Sequence, residues 1–138
     1  MAIETQRLVL RAPDQGDVLW IAREIANPRV HQWLAGPPRP FREADAVAWV
    51  RDVQPNTLIR LITRDGQRQG VVGIRHSDTG PRLGYWLAEA AWGQGIMTEA
   101  ARALAEAFFQ THDGPLFSGW IDGNAGSQNV LAKLGFRE

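Results

Sequence analysis

The stretch Trp92-Gly93-Gln94-Gly95-Ile96-Met97-Thr98 holds the residues whose types and spacing speak most directly of chemistry. It falls between a segment with strand periodicity and the start of a helical one, so its two glycines let the backbone turn tightly and approach a ligand closely. The unpaired amides at a helix N-terminus point outward with the positive end of the helix dipole behind them, which makes a cradle for phosphate. The same residues also suit an ordinary strand-to-helix connection. Among phosphate loops, a Walker loop needs a Gly-Lys-Ser or Gly-Lys-Thr ending, and this segment has no lysine. A dinucleotide fingerprint needs a third glycine where Thr98 sits, and a turn straight off the strand in place of the intervening Ala88 to Trp92. What remains is a helix cap for the pyrophosphate of coenzyme A.

Such a loop has to be positioned by the elements around it. From Glu4 to Arg11 the residues alternate, Leu8 and Leu10 on one face and Arg7, Val9 and Arg11 on the other, which predicts a first strand. After Pro13-Asp14, helical spacing of Val18, Ile21, Ala22 and Ile25 predicts a helix from Asp14 to Ala26, ended by Asn27-Pro28. His31 to Leu34 reads as a short helical turn before the stiff loop Gly36-Pro37-Pro38-Arg39-Pro40, and Ala46, Trp49, Val50 and Val53 form the stripe of a second helix. Three apolar segments follow, Leu58 to Thr63, Val71 to Arg75 and Leu83 to Leu87, with turn residues at Asp65-Gly66 and Asp78-Thr79-Gly80-Pro81 that favour an antiparallel meander. Beyond the Gly-containing loop, Met97, Ala101, Leu104 and Phe108 mark a helix that closes near His112-Asp113-Gly114. Leu116 to Ile121 is a further strand and Ala125 to Leu134 a last helix, with Gly135 as a left-handed stop and Phe136 folding back toward Leu131. The fold class is therefore α/β (α+β), a mixed and mostly antiparallel sheet with flanking helices in the order β, α, α, β, β, β, α, β, α, in one domain over 1–138.

Composition narrows the partners. Fifteen basic residues face fifteen acidic ones, so no global positive field is available to hold nucleic acid or an anionic membrane. With no cysteine, disulfides, thiolate metal sites and a covalent route through a thiol are excluded. No apolar run long enough to span a membrane occurs, and the N-terminus lacks the regions of a signal peptide, so a cytoplasmic location is expected. His31, His76 and His112 lie in unrelated segments without metal-ligand spacing and are given no role. Only Lys133 is lysine among the basic residues, an imbalance that reads as codon bias before anion recognition. Trp20, Trp49 and Trp120 fall in apolar segments and read as core, whereas Arg75 and Arg82, flanking a turn, read as solvated.

Three separated motifs carry a resemblance. Thr5-Gln-Arg-Leu-Val-Leu-Arg11 is similar to the opening strand of the RimJ/RimL-like branch of the GCN5-related N-acetyltransferases, the GNAT superfamily. Gly84-Tyr-Trp-Leu87 followed by Trp92 to Ala100 resembles that branch's central strand and coenzyme loop. Asn124-Ala-Gly-Ser127, with Val130-Leu131 and Lys133-Leu-Gly-Phe136, resembles its last helix. The sequence departs from the general loop at Trp92, where relatives carry Gln or Arg, and at Met97, where they carry Gly or Ala; both changes keep the backbone amides.

The resemblance implies acetyl-CoA as acetyl donor, no metal, and direct transfer to a primary amine, either a protein N-terminus or a small molecule, in a ternary complex. Amine attack on a thioester needs a proton acceptor, an oxyanion donor and a proton for the leaving thiolate. Glu89 sits where RimL-like proteins carry a glutamate proposed as base, and it also reads as a solvated loop carboxylate. Resemblance gives the oxyanion a backbone amide near Leu87 and gives the coenzyme the loop Trp92, Gly93, Gln94, Gly95, Ile96, Met97 and Thr98. It also gives the pantetheine Asn124, a residue that reads equally as an N-cap. Where many relatives place a tyrosine general acid this chain has Leu131, leaving Ser127 as the nearest hydroxyl, and Trp33 is expected to border the acceptor site. The alternative is a catalytically inactive acetyl-CoA-binding regulatory module of the same fold; a purely structural interaction domain is a distant third. The family pattern continues with two more strands beyond Gly135-Phe136, so the sequence is expected to be a shortened form, or a second copy to cover the exposed sheet edge as a homodimer.

Overall fold

A computed structural model describes residues 2–32, 42–53, 58–76, 78, 80–118, 130 and 132–136. Five strands form one sheet in sequence order: β1 (Ile3–Glu4), β2 (Val9–Arg11), β3 (Leu58–Arg64), β4 (Gln67–Arg75) and β5 (Arg82–Leu87). Every neighbouring pair is antiparallel, as the meander predicts. The β3–β4 connection turns on Asp65 at φ +51° and Gly66 at φ +78°, the pair of positive angles that matches strand twist in a tight hairpin.

Alternating side chains divide the core in two. On one face, α1 (Val18–Ala26) and α3 (Glu43–Asp52) bury Val18, Ile21, Ile25, Ala46 and Val50 against Ile59, Leu61 and Val71. On the other, α4 (Ile96–Phe109) buries Ile96, Met97, Ala100, Ala101, Leu104 and Phe108 against Leu8, Leu10, Ile62, Val72, Ile74 and Leu83. Burying a side chain such as Leu104 or Phe108 contributes roughly 1.5–3 kcal/mol, so both layers hold the sheet firmly where the loops emerge.

Several boundaries differ from the sequence reading; β4, for one, begins at Gln67 rather than Val71, and α1 begins at Val18 after a 3-10 turn over Gln15–Asp17. The single strand expected from Glu4 to Arg11 is broken into β1 and β2, which pair with each other through Ile3↔Leu10 after a turn closed by the Thr5 N–H on the Leu8 carbonyl at 2.9 Å. The alternation of Leu8 and Leu10 survives the break, and Thr5 and Arg7 gain a partner on α4 that periodicity does not encode. The helical turn expected at His31 begins earlier, as α2 (Pro28–His31), because the Asn27 side chain accepts from the Arg29 N–H and Pro28 at the first helical position has no N–H to leave unpaired. The fourth helix ends at Phe109, short of His112; the His112 ring then stacks on Phe108 at 4.2 Å.

After α4 the chain returns beside β5. Phe117 forms an isolated parallel bridge with Arg82, and the Leu83 N–H donates to its carbonyl at 2.8 Å, within the segment where a strand is expected from Leu116. The Ser118 hydroxyl donates to the Leu83 carbonyl at 2.8 Å, and residues 119–121 of the expected strand, Trp120 included, lie outside the described residues, as do Trp33, Asn124, Ser127 and Leu131. Val130, Ala132 and Lys133 are helical, and Gly135 at φ +89° closes the turn with its N–H on the Ala132 carbonyl at 3.1 Å. Phe136 packs on the α4 side of the core, and Leu131, its expected contact, lies outside the described residues.

Candidate functional site

The described candidate residues converge where β5 hands over to α4. Within β5 the Leu83 N–H faces Phe117, whereas the Ala88 N–H just past the strand returns to the Gln69 carbonyl of β4 at 2.9 Å. Amides alternate sides along a strand, so the Leu87 N–H lies on the side of Phe117, away from β4. Its carbonyl points the same way and accepts the Trp92 indole N–H at 3.0 Å. The end of β5 is held tightly from behind: a Cβ at Gly70 would fall 2.2 Å from the Trp86 carbonyl oxygen and 2.9 Å from Leu87, so only glycine permits this approach.

The loop itself is a connected arc. A single 3-10 turn, Glu89–Ala91, drops the chain off the sheet. Gly93 at φ +74° and Gly95 at φ +73° then reverse it, Gly95 serving as the left-handed N-cap of α4. Ile96 and Met97 bury their side chains in the core, which fixes the first turn of α4. That first turn carries the amides of Ile96, Met97 and Thr98, for which helix geometry supplies no acceptor. Gln94 is pinned at three points, its side-chain amide donating to the Ala90 carbonyl at 3.0 Å while Arg64 Nη1 reaches its Oε1 at 3.1 Å and Arg7 Nη1 its main-chain oxygen at 2.9 Å. Two guanidiniums thus flank an arc already positive from the helix dipole, an arrangement that favours an anion.

Arg7 is held in turn by Glu99, one turn into α4. Arg7 Nε donates to Oε1 at 2.6 Å, and the Arg7 N–H and the Thr5 hydroxyl both donate to Oε2. Burial alone would raise the Glu99 carboxyl, but these bonds from Thr5 and Arg7 outweigh it and hold the group below the usual carboxylate range. An open groove of about 530 Å³ runs from Gly95 and Thr98 along α4 past Arg102 and Lys133.

Glu89 faces the opposite layer. Asn27 Nδ2 donates to its Oε1 at 3.0 Å and Arg29 Nη1 lies 2.7 Å from its Oε2, tying the turn after β5 to the α1–α2 junction. The neighbouring sheet surface carries Trp86, stacked on Trp20 at 5.6 Å, and Arg75 lies over the Trp49 ring at 5.9 Å, exposed but not free of contact. His76 and His112 come within 6.2 Å, ring to ring, although the sequence separates them; among the described residues no group of three or more metal-ligating side chains forms.

Sequence reasoning passed over Arg7, Glu99, Asn27 and Arg29. The outward alternation of Arg7 was visible, but its partner 92 residues away was not. A second cluster was also missed: Asp17, fully buried at the head of α1, accepts from Arg11 at 2.7 and 3.0 Å, from Arg68 at 2.8 Å and from the Asp14 N–H at 2.8 Å. The spacing of Asp14 and Asp17 is that of a capping box, the one signal available in the sequence.

The comparisons agree with this architecture. The family described as acetyltransferase (GNAT) domain matches residues 7–137, and the chain belongs to it. Among solved structures the fold is similar to RimL, a ribosomal L7/L12 α-N-protein acetyltransferase in complex with coenzyme A, at 22% identity and TM-score 0.85, over 99% of this chain and 84% of that one. It is also similar to an acetyltransferase from Agrobacterium tumefaciens, at 26% identity and TM-score 0.84, over 98% and 82%. A third is the microcin C7 self-immunity acetyltransferase MccE in complex with acetyl-CoA and AMP, at 21% and 0.80, over 96% and 79%. No curated protein matches at a significant level. Among the described residues no helix is long and apolar enough to cross a membrane.

Proposed function

We propose that this chain, a single acetyltransferase domain, moves acetyl from acetyl-CoA directly to a primary amine, in the manner of the RimJ/RimL-like branch. The observation that carries this reading is the left-handed Gly95 capping α4 beside Arg7, because it sets first-turn amides and a guanidinium near one another, donors of the kind that hold a pyrophosphate. Gly93, Gln94 and Trp92 complete the arc, and Thr98 adds a hydroxyl at its helical end. The Leu87 N–H, turned to the open side of β5, is the donor for the developing oxyanion. Glu89 accepts the amine's proton through water, leaving a neutral nitrogen to attack the thioester carbonyl; collapse of the tetrahedral adduct breaks the C–S bond. Asn124 and Ser127 are assigned by resemblance to the pantetheine and to the departing thiolate. The acceptor is a protein N-terminus or a small-molecule amine, met in the cytoplasm.

A second reading, a coenzyme-binding module without catalysis, draws on Glu89, since both its carboxylate oxygens are already engaged by Asn27 and Arg29. Turnover separates the two. With acetyl-CoA and a panel of amines, followed by thiol release and mass detection of the acetylated amine, Glu89→Gln lowers kcat roughly a hundredfold while coenzyme affinity is retained. Binding without amine-dependent turnover in the unmodified chain selects the module instead.

A further inference from the structure

Glu89 does not stand alone in its site. Asn27 and Arg29, which hold its two oxygens, are delivered together by a rigid step: Asn27 Oδ1 accepts the Arg29 N–H at 3.0 Å, and Pro28 between them has its φ locked by its ring. The guanidinium therefore reaches Glu89 from a fixed platform. It remains accessible, with the Arg29 side chain 70% exposed against 35% for Glu89. Nη1 of Arg29 lies 2.7 Å from Glu89 Oε2, and a guanidinium carries five N–H donors in a fixed fork, more than one carboxylate contact uses.

A negative and a positive group side by side at an accessible surface form a dipole with a chemical complement. An ammonium with a carboxylate a few bonds away can place its cation on Glu89 and its anion on Arg29, so that one ion pair exchanges for two without stranding a charge. An amine lacking the anion draws Glu89 from Arg29 and offers Arg29 nothing in return. We infer that Arg29 is a specificity-determining residue selecting amine acceptors that carry a carboxylate close to the amine. This rests on the reading of Glu89 as the base that takes the amine's proton, which sets the amine beside it. The carboxylate belongs to a free α-amino acid or to an acidic residue at the start of a peptide, and the test has an arm for each.

The test compares acetyl transfer to Ala-Glu-amide and Ala-Gln-amide, with free glutamate and glutamine α-amide as the small-molecule arm. Wild type should favour the carboxylate-bearing member of a pair about fivefold in kcat/KM, carried mainly by KM, the effect of one accessible ion pair. Arg29→Gln should bring that ratio to near one and Arg29→Lys should keep it above one. Damage to the fold lowers both members of a pair alike and leaves their ratio unchanged, so the ratio reports recognition. Equal rates with wild type on both pairs, or a preference that survives Arg29→Gln, overturns the inference while leaving transferase function intact. Acetyl-CoA binding with no transfer to any acceptor contradicts the transferase reading, and this inference with it.

Discussion

Arg7 and Glu99 are joined twice, through the Arg7 side chain at 2.6 Å and its main-chain N–H at 3.0 Å, across the gap between the first hairpin and α4. The pair converts an edge turn into a brace for the candidate coenzyme loop, because the same guanidinium continues to the Gln94 carbonyl. Glu99→Gln removes the charge that orients it. We expect acetyl-CoA affinity to fall about three- to tenfold by calorimetric titration, with melting lowered by a few degrees. Arg7→Lys should not restore full affinity, since a single ammonium cannot meet Glu99 and Gln94 in the same fork geometry. Wild-type affinity in a folded Glu99→Gln variant would show that the loop stands without its brace.

Gly95 and Gly66 allow backbone strain and ligand contact to be separated. Both have positive φ, +73° and +78°. An added Cβ at Gly95 meets nothing nearer than Arg7 Nη2 at 3.5 Å, and at Gly66 nothing within 4 Å. Alanine at either site should cost about 1 kcal/mol in chemical denaturation, through the backbone alone. Only Gly95→Ala should also weaken acetyl-CoA binding, because only there does the strained residue aim the α4 amides.

Asp17 contributes to the acid dependence of the fold. Its burial would raise the carboxyl, yet hydrogen bonds from Arg11, the Asp14 N–H and Arg68 outweigh this and hold it at about 2. A folded-state value below the unfolded one near 3.8 means stabilisation that is complete above about pH 4 and is lost as pH falls toward 2. The contribution is on the order of 2 kcal/mol. Asp17→Asn should destabilise the protein at neutral pH and flatten this window in denaturation curves measured from about pH 5 to 2. A variant that keeps the full acid dependence would place its origin elsewhere.

Gly70 tests how the end of β5 is seated. Because a Cβ there would meet the Trp86 carbonyl at 2.2 Å, Gly70→Ala must push Trp86 and Leu87 outward. A loss of roughly 1–3 kcal/mol is expected, the range for forced overpacking. If Leu87 supplies the oxyanion donor, kcat should fall more than acetyl-CoA affinity, as steady-state kinetics beside a binding titration will show.

Much of this architecture was legible in the sequence because it rests on local rules. The meander followed from alternation and the Asp65-Gly66 turn, and the α4 stripe from the spacing of Met97, Ala101, Leu104 and Phe108, all of them buried as expected. The loop glycines were found for the same reason, since Gly93 and Gly95 carry their conformational requirement in their own chemistry. What escaped was every contact that spans layers. Arg7 with Glu99, Asp17 with Arg68, and Glu89 with Arg29 each join residues 51 or more positions apart, or from opposite faces of the sheet. Periodicity says which face a side chain takes but not what waits there. The break between β1 and β2 belongs to the same class, an edge strand giving up its regularity so that Thr5 and Arg7 can meet Glu99.

Thermal melting against acetyl-CoA concentration tests most directly whether the arc from Trp92 to Thr98 holds the pyrophosphate of acetyl-CoA. The melting temperature should climb with ligand, linkage adding about 2.7 kcal/mol at a hundred times the dissociation constant, and climb less for Gly95→Ala. No shift at millimolar acetyl-CoA, in the folded wild-type chain, would contradict the coenzyme site and with it the proposed activity.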